Sequence, residues 1–343
     1  MKLILLLALS TPMSQAANYT AQKTTVGSIE VVKLTDGQRR IVVTVVPSMG
    51  NNSYSMTVNG KEIFYSPAQS LADWKAKPAH AGNPLLAPWA NRLDQDAFFA
   101  NGKKYILNPD LKNFGHDGNR KPIHGLLVYA PEWRVTEVKA DANSALVTSR
   151  LEFWRYPDYM AQFPFAHNLV MTYKLANGEL EVETVLENLS TQTMPVSLGY
   201  HPYFKLSDSR RDDWKVHLPA KEHVKLSNVL IPTGEQEPNS LANPLSLAGT
   251  KLDDVFANLQ YGANGRAEFS VQGAKEKITV GYSRNYPIAV VYAPPGREFI
   301  CFEPMSGPTN AFNLAHAGIY KQLQTIPAGG QWKASFWITP SGF

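Results

Sequence analysis

The chain is 343 residues long, 44% hydrophobic and 18% charged, enough apolar material for one large core or two ordinary ones and too little charge for a disordered chain. Its 33 Lys and Arg exceed its 29 Asp and Glu by 4, and the basic residues are scattered singly or in pairs such as Lys103-Lys104 and Arg210-Arg211, so no nucleic-acid patch is visible. The single cysteine, Cys301, excludes an intramolecular disulfide and a lipoprotein anchor near the N-terminus.

In chain order, Met1-Lys2 leads into the apolar run Leu3 to Ala8, and Ser14-Gln15-Ala16 offers small residues that suit a signal peptidase. Residues 1–16 therefore read as a secretory signal removed after Ala16, which places the mature protein in a periplasm or outside the cell; a short buried strand or helix is the alternative. No later stretch approaches the ~18 apolar residues of a membrane span. The sequons at Asn18, Asn51 and Asn188 carry weight only in a eukaryotic secretory pathway.

Ile41 to Val46 is a β-branched run and predicts a strand, whereas Ser70 to Lys75 predicts a turn or two of helix. Asn168 to Leu175 is a strand by the same composition. In Leu180 to Leu186, Leu180, Val182 and Leu186 fall on one face and Glu181 and Glu183 on the other, the period of a half-buried antiparallel strand. The stretch Ile231 to Gly249 is rich in Pro, Asn and Ser, and because strand-like composition continues on both sides it reads as a surface excursion rather than a domain linker. Lys277 to Tyr282 and Ile288 to Tyr292 are further strands, Ala317 to Leu323 a second short helix, and Trp332, Ala334, Phe336 and Ile338 alternate with polar residues in a last strand. No strand–helix alternation and no internal repeat appears. The fold class expected is all-β: a large antiparallel β-sandwich with few short helices, formed by residues 17–343 as one domain.

No Gly-x-Gly-x-x-Gly, phosphate loop or Gly-x-Ser-x-Gly elbow is present, and the eight histidines never fall at the close spacing of a zinc site. What remains is a set of polar residues inside aromatic, turn-rich segments: Asn91-Arg92, His124, His201, Asp253 and Glu303. His201 follows Gly199-Tyr200 and precedes Pro202-Tyr203-Phe204, while Glu303 stands between Phe302 and Pro304. Incomplete solvation raises a carboxyl toward neutrality, which makes an acid and a base usable at one pH. The ordinary alternatives are a satisfied structural histidine, an Arg92 ion pair with Asp94 or Asp96, turn roles for His124 and Asp253, and Asp254 in place of Asp253.

In these segments the sequence resembles the aldose 1-epimerase (galactose mutarotase) family, and five motifs follow in the family's order. Gly82 to Leu93 looks like its Asn-Arg segment, with Phe99 to Leu107 as the hairpin that follows, and Ile123-His124-Gly125 with Trp133 looks like its His-Gly…Trp segment. Tyr200 to Leu206 is similar to its His-x-Tyr-Phe-x-Leu, Asp253 to Phe256 to its Asp-x-x-Phe, and Glu303-Pro304 with Asn310 to Asn313 to its C-terminal Glu-Pro…Asn segment. The resemblance implies a galactose mutarotase-like supersandwich and an enzyme that interconverts the α and β anomers of a free monosaccharide such as glucose or galactose, without metal or cofactor. It implies Glu303 as general base and His201 as general acid, facing each other across the sugar, with Asn91, Arg92, His124 and Asp253 holding the substrate. Trp89, Trp154 and Tyr156 are candidate apolar faces for the pyranose, or core. Tyr200 and Lys205 stand where the family commonly has Asn, a departure expected to alter the orientation of the imidazole or the sugar that fits. The rival functions are a sugar-phosphate epimerase using Arg155, Arg284 or Arg297, a non-catalytic carbohydrate-binding protein, and a glycosidase using Asp253 and Glu303 as its carboxylate pair.

Overall fold

The computed structural model describes residues 18–343; the expected leader peptide lies outside the described residues. Three antiparallel sheets carry most of the chain. The first, Tyr19–Val26, Ile29–Asp36, Ile41–Val46, Asn52–Val58 and Lys61–Glu62, is a meander of five consecutive strands. The second has nine strands and runs from Arg134–Ala140 through Ala145–Glu152, His167–Ala176, Glu179–Asn188 and Gln331–Ser341 to Lys277–Tyr282 and beyond. The third has eight and is centred on Leu252–Leu259, Ile288–Ala293 and Ile300–Met305, with Gly199–Tyr200 and Tyr203–Phe204 along the far side of Ile300–Met305.

Period-two alternation makes these sheets two-faced. In Glu179–Asn188 every second residue is buried, from Leu180 through Val182, Thr184 and Leu186 to Asn188. The partner strand Gln331–Ser341 sets Ile338, Phe336, Ala334 and Trp332 opposite those positions, so the two rows share one core. Tyr200 packs on Phe336 at 4.8 Å and Phe269 lies 6.1 Å from Phe302, which ties the inner face of the eight-stranded sheet to the nine-stranded one. Each such large side chain contributes about 1.5–3 kcal/mol on burial. The stretch 231–249 supplies the edge strand Pro232–Pro238 to the eight-stranded sheet and Leu245–Ser246 to the nine-stranded one.

Three short α-helices occur among the described residues: α1 (Leu71–Ala76), α2 (Pro157–Gln162) and α3 (Ala311–His316). The first matches the sequence reading, its N-terminus held by the Ser70 hydroxyl, which accepts from the Asp73 amide at 3.1 Å. The expected helix over 317–323 is not formed. Helical turns lie one step earlier, where Ala311, Phe312 and Leu314 have a core to bury against, and Gly318 at φ +73° ends them, leaving Ile319 half exposed. No helix among the described residues is long and apolar enough to cross a membrane.

Candidate active site

The strand Ile300–Met305 is buried throughout, and its alternation directs Ile300 and Phe302 into the main core while Cys301, Glu303 and Met305 point to the opposite face. Beside it, Tyr200 and Phe204 also enter the main core, which leaves His201 and Tyr203 on the Glu303 side. Gly199 makes this close approach feasible: a Cβ there would collide with Met305 Sδ and stand 2.8 Å from the Pro304 carbonyl oxygen.

The earlier segments are stitched onto this face by backbone bonds. The His201 and Tyr203 amides donate to the Pro84 and Gly82 carbonyls at 3.1 and 2.8 Å, and the Ala90 amide donates to Ser197. The His124 amide donates to Asn91 and the Leu126 amide to Ala87, at 2.9 and 2.7 Å. Asn91 and His124 both adopt left-handed backbone, φ +53° and +66°, a conformation that costs free energy unless the surroundings impose it. Segments far apart in the chain thus deliver Arg92, His124, His201 and Glu303 to one place.

His201 Nε2 lies 3.2 Å from Glu303 Oε1, and both side chains are almost wholly buried. The imidazole lies flat on Tyr203, with ring centroids 4.6 Å apart, and meets His124 edge-on at 5.4 Å. The second carboxylate oxygen of Glu303 and the Nδ1 atoms of His124 and His201 are buried without a hydrogen-bond partner in the chain. The two side chains expected to face each other across a sugar are in direct contact in this structure.

Burial pushes the Glu303 carboxyl well above its usual range; the Asp253 charge adds to this and Arg92 opposes it. Burial likewise holds the His201 imidazolium well below its usual range, reinforced by His80 and Arg92. Each shift favours the uncharged form, while contact between the two favours opposite charges. Burial thus favours a neutral carboxyl beside a neutral imidazole, and their contact couples the two titrations.

Arg92 pairs through Nε with Asp117 Oδ2 at 2.6 Å and through Nη1 with Asn91 Oδ1 at 2.8 Å, not with Asp94 or Asp96. Asp94 instead accepts from Asn313, and Asp96 meets His116. Asn91 thus orients Arg92. Strand alternation separates the adjacent aspartates: Asp254 turns to His223 at 2.8 Å, whereas Asp253 lies where its charge acts on Glu303 and feels Arg92. The Asp253 carboxyl is itself raised, chiefly by burial.

Other expectations are corrected by side-chain direction. Tyr200 faces the core, its hydroxyl against Thr184 Oγ1 at 2.5 Å, and Lys205 lines a separate cavity with Glu62 and Lys33, so neither reaches the imidazole. Trp89 is fully buried; Trp154 is 43% exposed and bonds Asn168 beneath Arg155. Tyrosine rings beside His201 come instead from Tyr203 and Tyr292, and the His80 ring, which no motif marks, joins them. The His80 ring lies 5.1 Å from His124 and 6.0 Å from His201. Its signal was position, two residues before the Gly82 segment that lies against His201. Among the described residues no group of three His, Cys, Asp or Glu side chains is arranged to hold a metal.

From His80 and His124 a cavity of about 480 Å³ opens outward between Phe114, Tyr129 and Tyr159. The antiparallel sheets, with the buried histidine–glutamate pair on the face away from the main core, have the galactose mutarotase-like fold. The chain belongs to the aldose 1-epimerase family, whose model matches residues 30–339. It is 27% identical to the uncharacterized protein YihR of Escherichia coli over 241 residues, 68% of this chain and 72% of that one. It is 27% identical to human galactose mutarotase over 256 residues, 69% and 68% of the two chains. Among solved structures, a galactose mutarotase-like protein from Clostridium acetobutylicum superposes with a TM-score of 0.84 at 20% identity, covering 95% of this chain and 99% of that one. The Slr1438 protein from Synechocystis superposes at 0.71 with 28% identity, covering 91% and 96%.

Proposed function

We propose that the protein is an aldose 1-epimerase that interconverts the α and β anomers of a free aldose. The observation that carries this reading is the 3.2 Å contact between the buried His201 and Glu303 side chains. In the Glu⁻/His⁺ arrangement, Glu303 takes the proton of the anomeric hydroxyl while His201 gives its proton to the ring oxygen, and the C1–O5 bond breaks. The pair is left as neutral acid and neutral imidazole, its other tautomer. Rotation about C1–C2 presents the other carbonyl face, and reversal of both transfers closes the ring as the opposite anomer. The proton count of the pair is the same at the end as at the start, which is what two reversible transfers need.

Arg92, His124 and Asp253 hold hydroxyls around this centre, and Asn91 acts by aiming Arg92. Two of the arginines considered for a phosphate are engaged elsewhere, Arg155 with Glu152 at 2.8 Å and Arg284 over Tyr261. Glu303 is in contact with an imidazole, the acid–base partner that anomerisation calls for. The leader expected over residues 1–16 adds the proposal that the protein is exported, and cell fractionation with N-terminal sequencing tests it.

The purified mature protein is expected to accelerate the optical-rotation change of freshly dissolved α-glucose or α-galactose and to leave glycosides intact. Relaxation at the buffer rate with every common aldose ends the proposal.

A further inference from the structure

We infer that His80 is a specificity-determining residue that binds the exocyclic group on C5 of the sugar, so that this site distinguishes hexoses from pentoses. The inference rests on the anomerisation reading, because that reading places C1 and O5 at the His201–Glu303 pair.

The sugar ring leaves that pair in two directions. From C1, past the hydroxyl served by Glu303, it continues to C2; from the ring oxygen served by His201, it continues to C5 and its substituent. Asp253 bears on Glu303 and not on His201, which assigns it the C2 direction, while Arg92 bears on both members of the pair and lies between the two directions. Four rings surround His201, those of Tyr203, His124, His80 and Tyr292, and of these His124 and His80 line the cavity of about 480 Å³. A CH2OH group on C5 therefore points to His80 and into that cavity, whereas a pentopyranose has only hydrogen there.

His80 suits such a contact. Its ring is wedged among His124, His201, Tyr129 and Tyr203, with centroids 5.1, 6.0, 6.2 and 6.3 Å away, and its Nδ1 is buried without a partner in the chain. Burial also keeps the imidazole below its usual pKa, so at neutral pH it is uncharged and offers one donor and one acceptor. A sugar hydroxyl can donate to the bare nitrogen or accept from the N–H.

D-Glucose and D-xylose match from C1 to C4 and differ in the C5 substituent, so kcat and KM for both sugars are measured in wild type, His80→Phe and His80→Gln. His80→Phe is expected to lower kcat/KM for glucose at least about tenfold, mainly through KM, while xylose changes less than about threefold, and His80→Gln recovers part of the glucose loss. Equal losses on both sugars, or no loss on either, overturn the inference. Imidazole NMR of the wild type gives a readout independent of turnover and of variant folding: the His80 signals shift on saturation with glucose and move much less with xylose. Equal shifts overturn the inference. A wild type that anomerises neither sugar yet shows the selective His80 shift leaves the contact standing and removes the proposed reaction.

Discussion

The imidazole of His201 and the phenol ring of Tyr203 lie face to face, with planes 9° apart and centroids separated by 4.6 Å. The stack sets the plane in which Nε2 points at Glu303, because rotation of the imidazole out of that plane would open a gap against a buried ring. Tyr203 is a positioning residue in this arrangement. Tyr203→Phe, which keeps the ring, should retain activity within a few fold, whereas Tyr203→Leu should lower kcat by about tenfold or more while leaving KM nearly unchanged. Steady-state anomerisation kinetics on the two variants check this.

The proton carriers themselves are more sensitive. Glu303→Gln and His201→Asn should each lower kcat by about a hundredfold or more, the lower end of what one positioned acid or base contributes. Single-sugar kinetics with a fold check by circular dichroism decide the point, and a mild loss in either variant transfers the role to another group.

A one-proton pair predicts a bell-shaped pH profile of kcat/KM, with activity lost at low pH on uptake of a second proton and at high pH on loss of the first. The neighbouring charges give the shifts their signs. Asp253 raises Glu303, so Asp253→Asn should move the alkaline limb to lower pH. Arg92 lowers both Glu303 and His201, so Arg92→Gln should move both limbs to higher pH. Opposite displacements of the profile in the two variants are the expected result.

Stability should also depend on pH through His167, which is stacked on Phe153 at 4.3 Å and held to the Phe165 carbonyl through Nδ1 at 2.6 Å. Burial depresses this imidazole from 6.5 to about 4. The unfolded chain takes up a proton below pH 6.5 that the folded chain refuses until about pH 4, so this contribution is present above pH 6.5 and is lost as pH falls through that window. The loss is about 3 kcal/mol. Urea unfolding at pH 7 and pH 4 should show a steeper decline in the wild type than in His167→Gln.

Gly125 stands at φ +67° with the Ala87 carbonyl occupying the place of a side chain. Gly125→Ala should destabilise the fold by about 1–3 kcal/mol from backbone strain alone and disturb the adjacent His124. Thermal unfolding measures the first effect, and a rise in KM the second.

Much of the sheet structure was legible because alternation and β-branched composition are local properties. The stretches read as strands at Ile41 to Val46 and Lys277 to Tyr282 are the observed strands residue for residue. The helix expected over 317–323 failed for the same reason in reverse: α3 forms where a core exists for Phe312 and Leu314, and no local pattern reports where that core is. In the site, the motifs around Arg92, His124, His201, Asp253 and Glu303 identified the family resemblance before any contact was known. His80 and Tyr292 carry no such motif.

By itself, then, the order of residues determined the antiparallel β class, the family resemblance and the identity of the candidate acid and base, since hydrophobic periodicity and short motifs are written within a few residues of one another. Tertiary structure alone decided that His201 and Glu303 touch, that Asp253 rather than Asp254 faces them, that Arg92 is steadied by Asp117 and Asn91, and that His80 joins the cluster. Those relations depend on which face of a strand meets which loop across long stretches of chain. That is settled by packing of the whole core, not by any neighbourhood in the sequence.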